Sequence, residues 1–457
     1  MGTGVREPKK EPGPFFGDAD LSALATREGR ELANALGDIL RDVQFDLANR
    51  DLRLPEYGGD YEIRPFPLPA SAVDIHTMKQ RLRHVVKTSR TPGDASYARR
   101  ILNAFRLFMF GESLDRTALE DVFGTKRKSE IDEAFKLGLL INAEGQAIRM
   151  NGLSLFSRKL PNGDVIHAFA DTPPHFTTRT AHQRVYIGAD SYELLGRVSE
   201  MSGVNGYCVE MGSGSGIQLI AALKTHSSII RAIGKERDHR AIHVSLFNAA
   251  INRVDENMTV VDNDDSLQEV LHGQRVSFAM MNPPFLAMPE SIDIDSDEGS
   301  ALDLRAIFPE AGWGGEDGLQ LTRQFLDTLG PLLAPESRVV IYSQFAGDDA
   351  GPTILRDYIQ KIGGFTFSFK GRSQTVLTLA EAAAAVARLI VAALLQKREP
   401  RQPRIAVRKG GAPHALLSAC TQKIEQSYRR QGITHFHDGV AVLTRRMTRQ
   451  IESRVAL

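Results

Sequence analysis

Two short runs, with Asn282 of the second 70 residues after Gly212 of the first, carry the side chains best suited to chemistry. The second is Asn282-Pro283-Pro284-Phe285. Its prolines remove two backbone N–H donors and leave carbonyls free to accept hydrogen bonds. The Asn282 side chain adds a further acceptor, and Phe285 offers a flat aromatic face. Together they describe a clamp for a planar NH2 group, with acceptors for its hydrogens and a ring beneath it. A rigid Pro-Pro turn with the Phe in the core would use the same residues. The first run is Glu210-Met211-Gly212-Ser213-Gly214-Ser215-Gly216. Glycines there allow left-handed backbone and close approach to a ligand, and the helix expected from Ile217 offers free N–H groups.

These runs need elements to hold them. Tyr207, Cys208 and Val209 read as a short apolar strand, and Ile217 to Leu223 as the start of a helix. Arg231 to Lys235 reads as a second strand, ending at Glu236, 20 residues after Gly216. Phe278 to Met281 is a buried strand that places Asn282 just past its C-terminal end. From about Arg184 strands alternate with helices, the pattern of a parallel sheet with crossovers. Ligands of such sheets bind at the C-terminal strand edge.

The acid at the end of the first strand selects the ligand. Glu210 would repel a pyrophosphate and favour a cation. S-adenosylmethionine carries an amine and a sulfonium, both positive. The dinucleotide fingerprint G-x-G-x-x-G is not cleanly matched, which disfavours a nicotinamide oxidoreductase. Glu236 is placed to accept from ribose hydroxyls, as acids at that position do. Asp264 or Asp265, past the next strand, would approach the adenine; spacing does not choose between them.

With these residues in place, the chain resembles the class I S-adenosylmethionine-dependent methyltransferases of the small-methyltransferase-domain type. That group includes release-factor glutamine methyltransferases, ribosomal RNA adenine and guanine N-methyltransferases and adenine-specific DNA methylases. The resemblance covers roughly residues 184–369 and implies a seven-stranded, mostly parallel Rossmann-like sheet. It implies that Glu210, Gly212, Ser213, Gly214 and Gly216 hold the methionine part of the cofactor. Glu236 would take the ribose, and Asp264 or Asp265 the adenine. Asn282, Pro283 and Phe285 would position the acceptor nitrogen, with Asn282 also close to the cofactor. The run Ala311-Gly-Trp-Gly-Gly-Glu-Asp-Gly-Leu is similar to a loop that follows the tetrad in the glutamine and guanine branches. Val185 to Leu195 resembles a segment that covers the cofactor, with Tyr186 read as near it or in the core. Two departures stand out: Glu210 replaces the commoner Asp, and Phe285 stands where many relatives have Tyr or Trp.

Around this domain the sequence predicts other parts. Residues 1–18 read as a flexible tail and 19–183 as a helical domain. Helical spacing appears over Leu21–Arg50, Ala72–Ser89 and Tyr97–Phe110. Within 113–151 come a helix ending at Gly124, a second ending near Gly138, and a hairpin turning at Glu144-Gly145. That order resembles a winged helix, a module that binds DNA or simply packs. The methyltransferase domain is expected over 184–380, followed by a small basic α/β extension over 381–457.

Composition bounds the rest. With 56 basic and 56 acidic residues, the 457-residue chain is not a general polyanion binder as a whole. The neutrality is a sum of unlike parts. Residues 290–317 hold 9 acids and one Arg, whereas 397–457 hold 13 Lys/Arg against 4 Asp/Glu. Two cysteines, Cys208 and Cys420, make no disulfide framework or Cys-rich zinc site, so a reducing, cytoplasmic setting is expected. The longest apolar run, Ala382–Leu395, contains Arg388 and is too short to span a bilayer. It reads as a buried helix, and no membrane association is expected. His435 and His437 lie on one strand face but lack a third ligand, so no metal is expected. Arg429-Arg430 and Arg445-Arg446 would meet phosphates or simply be solvated.

The sequence therefore favours an N-methyltransferase acting on RNA or a protein, with a small-molecule acceptor as an alternative. A non-enzymatic winged-helix regulator that senses the cofactor is a further reading. Retention of the whole tetrad argues against it.

Overall fold

The computed structural model describes residues 20–43, 45, 92–172, 184–292, 302–304, 313–396 and 413–447. The expected tail over 1–18, the helix over 72–89, most of the acidic insert and much of the basic C-terminus lie outside these residues. The elements in chain order begin with α1 (Arg27–Asp42), α2 (Pro92–Ala104), α3 (Arg116–Phe123) and α4 (Lys128–Lys136). Next come β1 (Leu140–Asn142), β2 (Ile148–Met150), β3 (Leu153–Lys159) and β4 (Val165–Asp171). They are followed by α5 (Ala189–Glu200), β5 (Gly206–Met211), α6 (Ile217–Thr225), β6 (Ile229–Glu236) and α7 (His239–Ile251). Then come β7 (Met258–Asp262), α8 (Leu267–Val270), β8 (Val276–Met281), and the short β9 (Ser291–Ile292) and β10 (Leu302–Asp303). The last are α9 (Gln320–Leu329), β11 (Leu333–Gly347), α10 (Thr353–Ile362), β12 (Phe365–Thr378), α11 (Leu379–Gln396), α12 (Pro413–Arg430) and β13 (His435–Arg445).

The chain divides into two compact units. The first holds Met1–Arg158, His167–Tyr186 and His239–Arg253; the second holds Lys159–Ile166, Ile187–Asp238 and Val254–Leu457.

In the first unit, α1 starts later than the apolar spacing from Leu21 implies. Thr26 accepts from the Gly29 N–H at 3.2 Å and caps the helix, so the preceding Ser22–Ala25 forms a 3-10 turn. Its apolar stripe, Leu32, Leu36, Ile39 and Leu40, is buried, and α1 packs on α7. The expected helix, helix, hairpin order follows. Asp115 caps α3 by accepting from Ala118 N–H at 2.8 Å, and Gly124 ends it at φ +92°. After α4, β1 pairs antiparallel with β2, Leu140 opposite Met150.

In the second unit, seven strands form one sheet in the order β12-β13-β11-β8-β5-β6-β7. The β5, β6, β7, β8 and β11 pairings are parallel, and β13 runs antiparallel to both its neighbours. This is the Rossmann-like α/β sheet the sequence led us to expect. From β5 the strand order steps outward to β7, then returns to β8 and proceeds the other way. The reversal between β5 and β8 is the topological switch point, where open α/β sheets bind ligands.

One boundary is corrected. Residues 381–457 are not a separate extension, because β13 threads between β11 and β12 over ten paired positions with β11, Arg338–Gly347. No local pattern could reveal this, since an inserted strand looks like any other. One face of the sheet is covered by α9 and α10, through Phe325, Leu326, Leu329, Leu355 and Ile359. Each such side chain stabilises the fold by roughly 1.5–3 kcal/mol. The run Ala382–Leu395 is indeed a helix, part of α11. Its Ala383, Ala387 and Ile390 are fully buried in a second cluster with Cys420, Ile424 and Tyr428 of α12. Among the described residues no helix is long and apolar enough to cross a membrane.

Candidate active site

The glycine loop begins where β5 ends. Gly212 (φ +68°), Gly214 (φ +52°) and Gly216 (φ +73°) all occupy left-handed backbone. Only glycine adopts that conformation at low cost. The loop is tied down by Gly212 N–H to Lys235 O at 2.7 Å and Gly216 N–H to Ser213 O at 2.7 Å. A Cβ on Gly234 of β6 would sit 2.7 Å from Ser213 Oγ, so the second strand needs a glycine there for the loop to lie against it. A Cβ on Gly212 or Gly214 would instead enter open space. The loop thus presents a bare backbone cradle at the switch point.

Two acids flank the cradle. Glu210 is 1% exposed, its Oε2 has no hydrogen-bond partner, and Leu219 N–H is the backbone donor to its carboxyl. Burial pushes the Glu210 carboxyl well above the usual carboxylate range, and the nearby Glu236 charge adds to this. A buried carboxyl with an idle oxygen can accept a hydrogen bond from a donating group. Glu236 sits at the end of β6. Its Oε2 accepts from Gly214 N–H at 2.8 Å, and its Oε1 from Arg237 and Asp238 N–H at 2.8 and 3.1 Å. Asp264 and Asp265 lie past β7, both exposed. Asp265 Oδ2 accepts from Asp262 N–H at 3.0 Å and closes that turn.

On the other side of the switch point, β8 delivers the tetrad. Pro283 is buried; Asn282 and Phe285 are half-buried. The Phe285 ring lies with its centroid 6.0 Å from that of Tyr342, the two planes at 68°. Tyr342 lies on β11, one residue past Ile341, which pairs with Met281. Asn282 Nδ2 donates to Asp190 Oδ2 at 2.7 Å, while its Oδ1 is buried without a partner. The tetrad is braced from behind. A Cβ on Gly314 would lie 2.8 Å from Pro284 O, and one on Gly318 2.6 Å from Phe285 O, so the Gly-Gly-x-x-Gly loop must be glycine to pack here. Gly314 N–H donates to Leu286 O and Met288 N–H to Gly315 O, each at 2.9 Å. Tyr428 of α12 donates to Ala287 O at 2.6 Å.

A cavity of about 560 Å³ lies against the segment Pro289–Ile292 that follows the tetrad, and no tetrad residue lines it. Glu290, Trp313 and Glu316 line it along with Lys423 and Arg430 of α12. The acidic and basic segments that cancel in the sequence thus meet at one cavity.

Three site residues escaped sequence reasoning. Asp190, in the first turn of α5, and Tyr342, inside a strand, carry no motif. Asp438 accepts from the Tyr342 hydroxyl and lies 4.0 Å from Arg372. Burial, with Asp438 second, pushes the Tyr342 hydroxyl far up, so it stays protonated.

Four of the remaining candidates, His435, His437, Arg429 and Arg445, have structural partners. His437 Nε2 bonds Asp348 O at 2.6 Å, and His435 Nδ1 bonds Thr434 Oγ1 at 3.0 Å. Among the described residues no group of three metal-ligating side chains forms. Arg445 donates to Gly330 O, and Arg429 lies 3.6 Å from Glu425. Cys208 is fully buried, and burial raises its thiol. Tyr186 is 43% exposed, which removes the core reading for it.

No family model and no curated protein matches the chain. Solved structures do. SMU.776 complexed with SAH is similar at 12% identity and a TM-score of 0.32, over 55% of this chain and 61% of its own. The chain thus spans about three fifths of that protein. Geranyl diphosphate C-methyltransferase from Streptomyces coelicolor A3(2) is similar at 12% identity and a TM-score of 0.28, over 56% and 76%. Ribosomal protein L11 methylase from Lactobacillus delbrueckii subsp. bulgaricus is similar at 14% identity and a TM-score of 0.28, over 41% and 75%.

Proposed function

We propose that the chain is an S-adenosylmethionine-dependent N-methyltransferase whose acceptor is a planar amino or amide nitrogen. One observation carries this reading. Asn282 Oδ1 is a buried, idle acceptor at the switch point, across from a left-handed glycine cradle and a buried acid with an idle oxygen. A cofactor sensor needs the cradle but has no use for Asn282.

The residues fit the cofactor. Glu210 and the Gly212–Gly216 backbone would hold the methionine part, Glu236 the ribose, and Asp264 or Asp265 the adenine. When bound, S-adenosylmethionine supplies a methyl group on a good leaving group, so the protein's task is mainly positioning. An amide or exocyclic amine is a poor nucleophile because its lone pair is delocalised. Hydrogen bonds from its NH2 to Asn282 Oδ1 and to the Pro283 carbonyl favour a pyramidal nitrogen and stabilise the charge that develops on it. Phe285 stacks against the acceptor plane. No dedicated base is needed before transfer, and the methylated nitrogen releases its extra proton to water afterwards.

The acceptor is a nucleobase amine of RNA or a protein glutamine. The winged-helix-like unit of α3, α4, β1 and β2 and the basic C-terminal residues support a macromolecule, in a reducing cytoplasm that suits two free, buried cysteines. A small planar amine or amide is the second reading, since the NH2 clamp makes no demand on the rest of the acceptor.

The test is incubation of the protein with methyl-labelled S-adenosylmethionine and cell extract, then separation into RNA, protein and metabolite fractions. Label should enter one fraction. Asn282→Ala should keep cofactor affinity and lose orders of magnitude in transfer. Binding of NAD in place of S-adenosylmethionine would overturn the reading.

A further inference from the structure

We infer that Asp190 is the positioning residue that sets which end of the Asn282 amide faces the methyl acceptor. This rests on the N-methyltransferase reading and adds a residue to it. The two side chains lie 92 positions apart in sequence and meet with Asn282 Nδ2 2.7 Å from Asp190 Oδ2. An ionised carboxylate only accepts, and a primary amide has one donating and one accepting end. The NH2 end must therefore face Asp190. If the amide flipped, a carbonyl oxygen would meet a carboxylate, and a charge-assisted hydrogen bond would be lost. Asp190 thus commits Oδ1, buried and without a partner, to the opposite side, as the acceptor for an NH2 donor that enters the site.

The anchoring of Asp190 supports the role. It stands in the first turn of the 12-residue α5, whose start is fixed by Gly188 N–H donating to the buried Ser191 Oγ at 3.2 Å. A helix N-terminus is a favourable place for an acid. Drawing on the amide hydrogens also pushes electron density toward Oδ1, making it a stronger acceptor. The nearby Tyr342 gives its hydroxyl hydrogen to Asp438, so a hydroxyl close to the Asp190 charge is already directed elsewhere.

Four variants test this: Asp190→Ala, Asp190→Asn, Asn282→Asp and the double variant Asp190→Asn with Asn282→Asp. Methyl transfer from labelled S-adenosylmethionine is measured into the extract fraction that the wild type labels, at fixed extract and varied cofactor. Asp190→Ala should lower the maximal rate at least tenfold with the cofactor KM unchanged. Asp190→Asn, whose own oxygen can still accept from Asn282, should lose less. Asn282→Asp sets two carboxylates against each other and should fall at least tenfold. The double variant restores one donor and one acceptor with the bond reversed, and should recover at least tenfold over Asn282→Asp.

A second readout needs no turnover. In isotope-labelled protein the Asn282 side-chain amide protons, assigned by their loss in Asn282→Asp, should exchange slowly in the wild type and rapidly in Asp190→Ala. Adenosylhomocysteine affinity and melting temperature report whether each variant folds. A wild-type rate in Asp190→Ala, a rate loss matched by lost cofactor affinity, or a double variant no better than Asn282→Asp would each overturn the inference. If the wild type transfers methyl and the Asp190 variants are unaffected, only this inference fails. If the wild type binds no S-adenosylmethionine, the enzyme reading fails first.

Discussion

Gly214 N–H donates to Glu236 Oε2 at 2.8 Å, which joins the loop after β5 to the acid that ends β6. Glu236 also accepts from Arg237 and Asp238 N–H, so three of its roughly four acceptor sites are taken by backbone. An acid expected to take two ribose hydroxyls therefore also shapes the cradle, and it must trade the Gly214 bond to take both. Glu236→Ala removes both roles. Its affinity for S-adenosylmethionine should fall by about 100-fold, since hydrogen bonds to charged groups are worth about 1.5–3 kcal/mol each. Glu236→Gln should fall less. Calorimetric titration checks both, and equal affinities in all three proteins would remove Glu236 from the site.

On the proposed reading, Glu210 should make cofactor binding depend on pH. Burial, followed by Glu236, raises its carboxyl above the ordinary value of 4.5. The native state thus holds this proton more tightly than the unfolded chain does. The stability it contributes is full below that ordinary value and is lost as pH rises through the raised native value. A cationic ligand draws off the proton, so affinity for S-adenosylmethionine should rise with pH and binding should release a proton. Glu210→Gln should melt higher than the wild type at pH 8. It should bind the cofactor at least tenfold more weakly and release no proton, as read by titration in buffers of different ionisation enthalpy.

Gly214→Ala separates the cradle from the fold. The position is left-handed at φ +52°, and the added Cβ meets nothing within 4 Å. The protein should lose only about 1–2 kcal/mol of stability. Cofactor affinity should drop at least tenfold, because the methyl occupies the space above the loop. Melting curves and titration together decide it; intact affinity would mean that the cradle faces away from the ligand.

Truncation after Gln396 tests the boundary correction. It deletes α12 and β13, so β11 and β12 lose the strand between them, and the Tyr428 bond to Ala287 is lost. The truncated chain should fail to give a cooperative melt. A stable, cofactor-binding fragment would show that residues 397–457 are dispensable to the sheet and undo the correction.

The chemistry-bearing runs were legible because each is contiguous. A strand, three spaced glycines and a helix start announce a ligand loop wherever they occur. Asn282-Pro283-Pro284-Phe285 fixes its own backbone by proline sterics. The Gly-Gly-x-x-Gly loop was legible as a match, while its reason, the near approach of Gly314 and Gly318 to Pro284 and Phe285, needed coordinates.

What tertiary structure alone decided is which distant residues meet. Asp190 reads locally as an ordinary acid in a helix's first turn, and only the fold sets it 2.7 Å from Asn282. The His435–Arg445 segment reads as one more strand, and only sheet pairing puts it between β11 and β12. The charge balance of 56 against 56 says nothing of placement, yet Glu290 and Glu316 line one cavity with Lys423 and Arg430. Local sequence sets backbone preferences over a few residues. Partners across a sheet edge are chosen by long-range pairing and burial, which no short window of sequence encodes.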